Sequence, residues 1–220
     1  MIATAAKERV LVVDDHPLFR DRLSQIINHE LDMEVCGEAE DVRQALEILQ
    51  HAQPDLVIVD ISLPGTGGLE LIKQSRALGV RTPILVLSMH DETLYAERAF
   101  RAGANGYITK RQPASEIVTA IRRVIAGEVY LSAEMTAGVL SNLPHGGLKN
   151  VPRPIDRLTD RELEVLELIG RGRTTREIAA TLSLGVATID TYRARIKEKM
   201  NFRNAVELQH FAVRWYKERE

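Results

Sequence analysis

Apolar residues in the first 127 positions form short continuous runs that alternate with helical stripes. The runs are Val10–Val13, Leu56–Val59 and Ile84–Leu87, with weaker candidates at Glu34–Ala39 and Gly106–Ile108. Continuous runs rich in β-branched residues are typical of strands buried on both faces of a parallel sheet. Between the runs, apolar residues recur every three or four positions, which is the period of an amphipathic helix. The pattern predicts an α/β fold with a doubly wound, five-stranded parallel sheet.

The periodicity changes after this region. From Glu128 to Pro154 it fades, and the segment is rich in the glycine, proline and serine residues that form turns. Beyond Leu158 only helical patterns occur. We therefore expect an α/β domain at residues 1–127, a linker at 128–154 and a small all-α domain at 155–220.

Charge is divided in a similar way along the chain. The 220 residues carry a formal net charge of −2, but residues 1–149 hold 15 Lys and Arg against 20 Asp and Glu. Residues 150–220 hold 14 basic against 11 acidic residues. An acidic first part and a basic second part indicate two modules with different partners, and only the second would attract nucleic acid.

Several classes of protein do not fit the sequence. No apolar run approaches the ~20 residues that a membrane-spanning helix needs, and residues 1–9 lack the apolar stretch of a secretory signal. Cys36 is the only cysteine, which excludes an intrachain disulfide, and no Cys/His cluster has the spacing of a zinc site. We expect a cytoplasmic protein with no membrane contact.

Polar side chains follow the predicted strands at the end where ligands bind in a parallel sheet. The residues at these positions are Asp14, Asp15, Asp60, Ser88 and Lys110. Three carboxylates repel one another unless a cation neutralises them, and Mg²⁺ with its oxygen ligands suits this role. One carboxylate could then act as a nucleophile toward a phosphoryl group. The alternative is that an aspartate only caps the following helix and Lys110 is solvated.

The region from Arg9 to Gly127 resembles the receiver domain of two-component response regulators. The matching segments are Val10-Leu-Val-Val-Asp-Asp15, Asp55-Leu-Val-Ile-Val-Asp60, Leu63-Pro64, Leu87-Ser88 and Gly103-Ala-Asn-Gly-Tyr-Ile-Thr-Lys110. The resemblance implies that Asp60 is the phosphoacceptor and that Mg²⁺ binds Asp15, Asp60 and the Ser62 carbonyl directly and Asp14 through water. It also implies that Ser88 and Lys110 contact the phosphoryl group and that Tyr107 is an aromatic switch, a ring that turns inward when Ser88 moves to the phosphate.

A phosphohydrolase is a rival interpretation of the same aspartate. Some phosphohydrolases also place an aspartate nucleophile at a strand end, but they need an acidic residue two positions later as the general acid. Ser62 occupies that position and cannot serve as an acid at neutral pH. The sequence therefore favours a switch, in which the phosphoryl group stays on the aspartate, and not a phosphohydrolase.

The C-terminal part has the pattern of a helix-turn-helix module. Thr159-Asp-Arg-Glu162 is a capping box at the start of a helix, and further helices are predicted at Arg176–Leu184, Val186–Met200 and Asn204–Tyr216, with Gly185 in a tight turn. On the third of these four helices, Ile189, Ile196 and Met200 mark the buried side. The opposite side carries small and polar residues with an arginine, which suit base edges in a major groove. A plain solvated helix face is the alternative.

The segment Leu158–Trp215 resembles the LuxR-type helix-turn-helix domain of the NarL/FixJ class. The matching segments are Leu158-Thr-Asp-Arg-Glu162, Glu164-Val-Leu166, Glu177-Ile-Ala179, Thr188-Ile-Asp-Thr-Tyr-Arg-Ala-Arg-Ile196 and Lys199-Met200. The candidate DNA-binding residues are Thr188, Asp190, Thr191, Arg193, Ala194, Arg195, Lys197 and Lys199. Two positions depart from the family: Gly185 replaces a capping serine, and Asp190 replaces a lysine that faces the groove.

Together the two resemblances imply a response regulator that acts as a transcription factor. A partner sensor histidine kinase would phosphorylate Asp60 and so switch binding of the C-terminal domain to double-stranded DNA. We expect a homodimer in the phosphorylated or DNA-bound state, because one short recognition helix reads few base pairs. The alternative is a receiver that acts mainly through protein–protein contacts, with weak or phosphorylation-independent DNA binding.

Overall fold

The computed structural model describes residues 6–90, 92–132, 136 and 154–218. The chain divides into two compact units, Met1–His145 and Gly146–Glu220, and each is considered by itself. Within the described ranges, no helix has both the length and the apolar character needed to cross a membrane.

The first unit is the predicted doubly wound α/β fold. Its elements are β1 (Glu8–Val13), α1 (Pro17–His29), β2 (Met33–Ala39), α2 (Val42–Ala52), β3 (Leu56–Val59), α3 (Gly68–Ala77), β4 (Ile84–Ser88), α4 (Glu92–Ala102), β5 (Gly106–Thr109) and α5 (Ala114–Ile125). The strands are all parallel and lie in the order β2-β1-β3-β4-β5. All five predicted strands are present, and four of them extend one or two residues beyond the apolar run that predicted them.

The central strands are buried on both faces, as their continuous apolar sequences require. Residues 10–13 of β1 and 56–59 of β3 are at most 1% exposed. In the register between these strands, Val13 lies opposite Val59. The residues that follow, Asp14 and Asp60, therefore leave the sheet side by side at its carboxyl edge. The strand register alone therefore places both carboxylates next to each other.

Over its described residues, 154–218, the second unit consists of helices and turns without a strand, as predicted. A 3₁₀ turn at Pro154–Arg157 precedes α6 (Asp160–Gly170), α7 (Thr175–Thr181), α8 (Val186–Met200) and α9 (Ala205–Lys217). The capping box predicted at the start of α6 is present: Thr159 accepts a hydrogen bond from the Glu162 amide, and the Glu162 side chain accepts one from the Thr159 amide. A second capping box, between Thr174 and Glu177, begins α7.

The turn between α7 and α8 differs from the prediction. Helix α7 ends three residues earlier than expected, with Leu182 as its C-cap. The left-handed residue of the turn is Ser183, with φ 53°, whereas Gly185 has an ordinary φ of −71°. Gly185 is instead the N-cap of α8 and provides no side-chain hydrogen bond, so the start of α8 has a weaker cap than a serine would give.

Part of the predicted linker is attached to the sheet. Of residues 128–154, the structure describes only 128–132, 136 and 154. Tyr130 is 4% exposed, its carbonyl accepts from the Tyr107 amide at 2.9 Å, and its amide donates to the Asn105 carbonyl at 3.2 Å. The chain after α5 therefore continues along the outer edge of β5. A single bridging residue has no periodicity, which is why the apolar pattern did not predict it.

Candidate functional site

A group of carboxylates lies at the carboxyl edge of the sheet, where the sequence predicted it. Asp14 is 2% exposed and Asp60 is 3% exposed, so both are buried. Their backbones continue the sheet, because the Asp60 amide donates to the Val13 carbonyl at 2.9 Å and the Asp14 amide donates to the Ala39 carbonyl at 3.0 Å. A close approach of the backbone completes this edge: a Cβ added at Gly68 would lie 1.9 Å from the Asp60 carbonyl oxygen. Only glycine fits there.

Lys110 joins the two buried carboxylates. Its Nζ lies 2.7 Å from Asp60 Oδ2 and 2.5 Å from Asp14 Oδ2. The ammonium also lies 4.4 Å above the centre of the Phe19 ring. Burial raises the pKa of the Asp60 carboxyl above its ordinary value, while the Lys110 ammonium acts in the opposite direction. The lysine predicted from the end of β5 thus provides the positive charge that two buried carboxylates need.

His16 belongs to this group, although the sequence analysis did not select it. Its amide donates to Asp14 Oδ1 at 2.9 Å, and its Nδ1 lies 2.8 Å from Asp15 Oδ1. That approach lacks hydrogen-bond geometry, so Asp15 Oδ1 is buried without a hydrogen-bond partner among the described residues. One ligand atom each from Asp14, Asp15, His16 and Asp60 can be chosen so that all lie within 4.8 Å of one another. A buried oxygen without a partner beside two further carboxylates fits a divalent cation with oxygen ligands.

A second group connects Ser62, Ser88 and Tyr107 through His90. The Ser62 amide donates to Asp60 Oδ1 at 3.3 Å, and Ser62 Oγ lies 2.8 Å from His90 Nε2. The His90 amide donates to Ser88 Oγ at 3.2 Å, and the Tyr107 hydroxyl donates to the His90 carbonyl at 3.1 Å. Ser88 and Tyr107 are both fully buried, so the tyrosine ring lies inward in this structure. No sequence pattern points to His90, because 28 residues separate it from Ser62.

The third helix of the second unit presents a polar face to solvent. Ile189 and Ile196 are fully buried, as predicted, while Met200 is only half-buried. The candidate DNA-binding residues Thr188, Asp190, Thr191, Ala194 and Arg195 are exposed, and Arg193, Lys197 and Lys199 are half-buried. The predicted outer face of α8 is therefore accessible over most of its length.

Three of the candidate DNA-binding residues have partners within the unit. Arg193 Nη1 donates to Thr175 Oγ1 at 3.4 Å, and Thr191 Oγ1 donates to the Ala187 carbonyl at 2.9 Å. Lys199 Nζ donates to Glu162 Oε2 at 2.6 Å. Glu162 is the capping residue that the sequence predicted, whereas its ion pair with Lys199 was not predicted. The capping residue is 1% exposed.

Two family models match the chain in the order that the sequence suggested. The response regulator receiver domain matches residues 10–122, and the luxR family of bacterial regulatory proteins matches residues 156–212. The first match ends within α5, and the second extends from the 3₁₀ turn into α9.

Curated relatives match nearly the whole length of the chain. The fimbriae Z protein of Salmonella typhimurium is 36% identical over 205 residues, which cover 92% of this chain and 95% of that protein. The oxygen regulatory protein NreC of Staphylococcus carnosus is 32% identical over 210 residues, which cover 94% of this chain and 97% of the relative.

Solved structures agree with these relatives. A LuxR-family two-component response regulator from an Aurantimonas species has a TM-score of 0.59 at 32% identity, covering 63% of this chain and 99% of the other. The response regulator ChrA of a heme-sensing two-component system has a TM-score of 0.52 at 29% identity, covering 97% and 99%. The chain therefore belongs to the two-component response regulators that join a receiver domain to a LuxR-type DNA-binding domain, and it is a phosphorylation-regulated transcription factor.

Proposed function

We propose that Asp60 accepts a phosphoryl group from a sensor histidine kinase and that this event switches DNA binding by the C-terminal unit. The observation that supports the proposal best is the position of Asp60, a buried carboxylate at the carboxyl edge of the sheet with Lys110 Nζ 2.7 Å away. Asp14 and Asp15 lie beside it and supply further negative charge. Kinase and regulator meet in the cytoplasm.

The chemistry assigned to the site is transfer of one phosphoryl group. A carboxylate oxygen of Asp60 bonds to phosphorus while the bond from phosphorus to the phosphorylated histidine of the kinase breaks, and the histidine leaves. Lys110 and the Ser88 hydroxyl contact the phosphoryl oxygens, and Tyr107 responds to Ser88 as the aromatic switch. Mg²⁺, when bound, supplies positive charge to the transferring group. Asp15, Asp60 and the Ser62 carbonyl would hold the ion directly, and Asp14 would hold it through water.

DNA recognition is assigned to the outer face of α8. Thr191 and Arg195 would contact base edges, with Arg193 and Ala194 beside them, and Thr188 and Lys197 would contact phosphates. Asp190 would accept a hydrogen bond from a cytosine amino group. The exposure of Thr191, Arg195 and their neighbours supports this assignment. We assign a homodimer to the DNA-bound state, since two half-sites give the specificity that one helix lacks.

A DNA-binding measurement with and without acetyl phosphate tests the proposal. Duplexes selected by the phosphorylated full-length protein from a random pool serve as the probe. Wild type in Mg²⁺ and acetyl phosphate should bind the selected duplex more tightly than the untreated protein, and mass spectrometry should show one phosphoryl group. Asp60→Asn should show neither change. Equal binding of the selected duplex by phosphorylated and unphosphorylated wild type would contradict the switch.

A further inference from the structure

An ion pair between a buried carboxylate and a half-buried lysine connects the first turn of α6 to the last turn of α8. Glu162 Oε2 accepts a hydrogen bond from Lys199 Nζ at 2.6 Å and another from the Thr159 amide at 2.7 Å. The carboxylate belongs to a residue that is 1% exposed, whereas the lysine side chain is 34% exposed. The same oxygen thus holds the N-terminal cap of one helix and the C-terminal end of another.

Few apolar contacts hold α8 in place. Of its 15 residues, only Ile189 and Ile196 are buried. A helix that presents most of its surface to a DNA groove cannot also bury a wide apolar stripe. In the last turn of α8, Met200 is half-buried and Lys199 forms the ion pair with Glu162, and just after the helix Phe202 packs against Phe211. The ion pair is the charged contact among those that orient this end of the helix.

Both charges suit the helix ends on which they lie. Glu162 is in the first turn of α6, where the helix dipole favours a negative charge, and Lys199 is in the last turn of α8, where the dipole favours a positive charge. Burial raises the pKa of the Glu162 carboxyl. The Lys199 ammonium and the hydrogen bonds from Thr159 lower this pKa by more than burial raises it, so the net shift is downward. The carboxylate form is the one that the surroundings stabilise.

We infer that Lys199 is a positioning residue for DNA binding: through Glu162 it fixes the orientation of α8, and it is not a phosphate contact. The inference rests on the proposed function, because it concerns the same DNA-binding helix. It revises the sequence-based expectation for Lys199 and leaves Lys197 as the phosphate contact of this end of α8. Lys197 is the matched comparison, since both lysines lie in the last turn of α8.

The salt dependence of binding separates the two roles. A lysine that neutralises a phosphate contributes about 0.9 to the slope of log affinity against log salt concentration. The probe is a short fluorescent duplex of random sequence, bound by the full-length protein between about 50 and 200 mM KCl. Lys197→Met should reduce the slope by about 0.9. Lys199→Met should keep the wild-type slope and lose about fivefold to tenfold in affinity at every salt concentration, as expected for a coupled contact pair.

For a substitution of the acidic partner, simple electrostatics and the positioning role predict opposite effects on DNA affinity. Glu162→Gln removes a negative charge and releases Lys199, so simple electrostatics predicts tighter binding and a steeper slope. The positioning role predicts weaker binding with an unchanged slope. Unlike Lys199→Met, Lys199→Arg should bind DNA within about twofold of the wild-type affinity, because arginine can also pair with a carboxylate. Glu162→Gln combined with Lys199→Met should be no weaker than the single variants, since the two residues act as one contact.

Circular dichroism at the assay temperature establishes that each variant is folded. If Lys199→Met does not fold, the sign of the Glu162→Gln effect decides the question. A reduced slope for Lys199→Met, wild-type affinity for that variant, or tighter binding by Glu162→Gln would each overturn the inference. An unchanged slope for Lys197→Met would instead contradict the proposed DNA face, whatever the result for Lys199.

Discussion

Lys110 Nζ lies 2.7 Å from Asp60 Oδ2. The lysine is therefore bound to one of the carboxylates that would also attract Mg²⁺. The ammonium contacts Asp14 Oδ2 as well, so two of the three carboxylates share its single positive charge. Removing it should leave these carboxylates without a competing positive charge and raise their affinity for a divalent ion.

Lys110→Met is therefore expected to bind Mg²⁺ more tightly than wild type, by about tenfold. Isothermal titration of Mg²⁺ into the full-length protein measures the change. Arg111→Gln is the matched control, because it removes an exposed positive charge at the adjacent position. Equal Mg²⁺ affinity in wild type and Lys110→Met would show that the lysine does not compete with the ion.

Asp15→Ala tests the metal ligands without changing Asp60. Because Asp15 Oδ1 is buried and has no hydrogen-bond partner among the described residues, its loss should cost little folding stability. The variant should lose Mg²⁺-dependent phosphorylation by acetyl phosphate, which mass spectrometry detects. Asp21→Ala, which removes an exposed carboxylate on α1, should be phosphorylated like wild type. Normal phosphorylation of Asp15→Ala in Mg²⁺ would exclude it as a metal ligand.

The sequence predicted those parts of the molecule that depend on local patterns. Continuous apolar runs identify β1 and β3, and parallel pairing then places Asp14 beside Asp60 without further information. The contact between Ser62 and His90 and the one between Glu162 and Lys199 could not be predicted in this way, because each joins residues 28 or more positions apart through side chains alone. Such pairs depend on the packing of helices and loops, which has no periodic signature.

The Glu162 carboxyl should make the stability of the second unit depend on pH. Its pKa in the folded protein lies below the ordinary value of about 4.5, because the Lys199 ammonium and the Thr159 hydrogen bonds outweigh burial. A lowered pKa contributes stability above the unfolded value, and this contribution is lost as the pH falls through the folded value. Wild type should therefore lose stability below about pH 4.5 more steeply than Glu162→Gln.

Trp215 is the only tryptophan, so its fluorescence during urea unfolding reports on the second unit. The comparison is made at pH 7 and at successively lower pH for wild type, Glu162→Gln and Glu198→Gln. The last variant removes an exposed carboxylate of α8 and controls for the change in net charge. If the wild-type and Glu162→Gln unfolding midpoints decline in parallel, Glu162 contributes nothing to the acid sensitivity.

Arg195→Ala should separate sequence recognition from general attraction to DNA. Arg195 is exposed on the outer face of α8, and a bidentate contact to a base contributes about 1–3 kcal/mol of discrimination. The variant should therefore lose more affinity for the selected duplex than for random DNA. Lys197→Ala should weaken binding to both duplexes alike. Fluorescence anisotropy with both probes measures the difference, and equal losses for Arg195→Ala would exclude base contact by this residue.

The DNA-bound protein should be a dimer, formed more readily once Asp60 is phosphorylated. Helix α9 buries Leu208 and Ala212 within the unit but leaves Val206 59% exposed, and Val213, seven residues further along the same face, is half-buried. An apolar strip beside the DNA-binding helix is suited to a second copy of the unit. Sedimentation with the selected duplex should give two protomers per duplex for wild type. Val206→Glu should reduce this stoichiometry if α9 forms the interface, whereas a receiver interface would leave it unchanged. One wild-type protomer per duplex at saturation, with and without acetyl phosphate, would contradict the dimer.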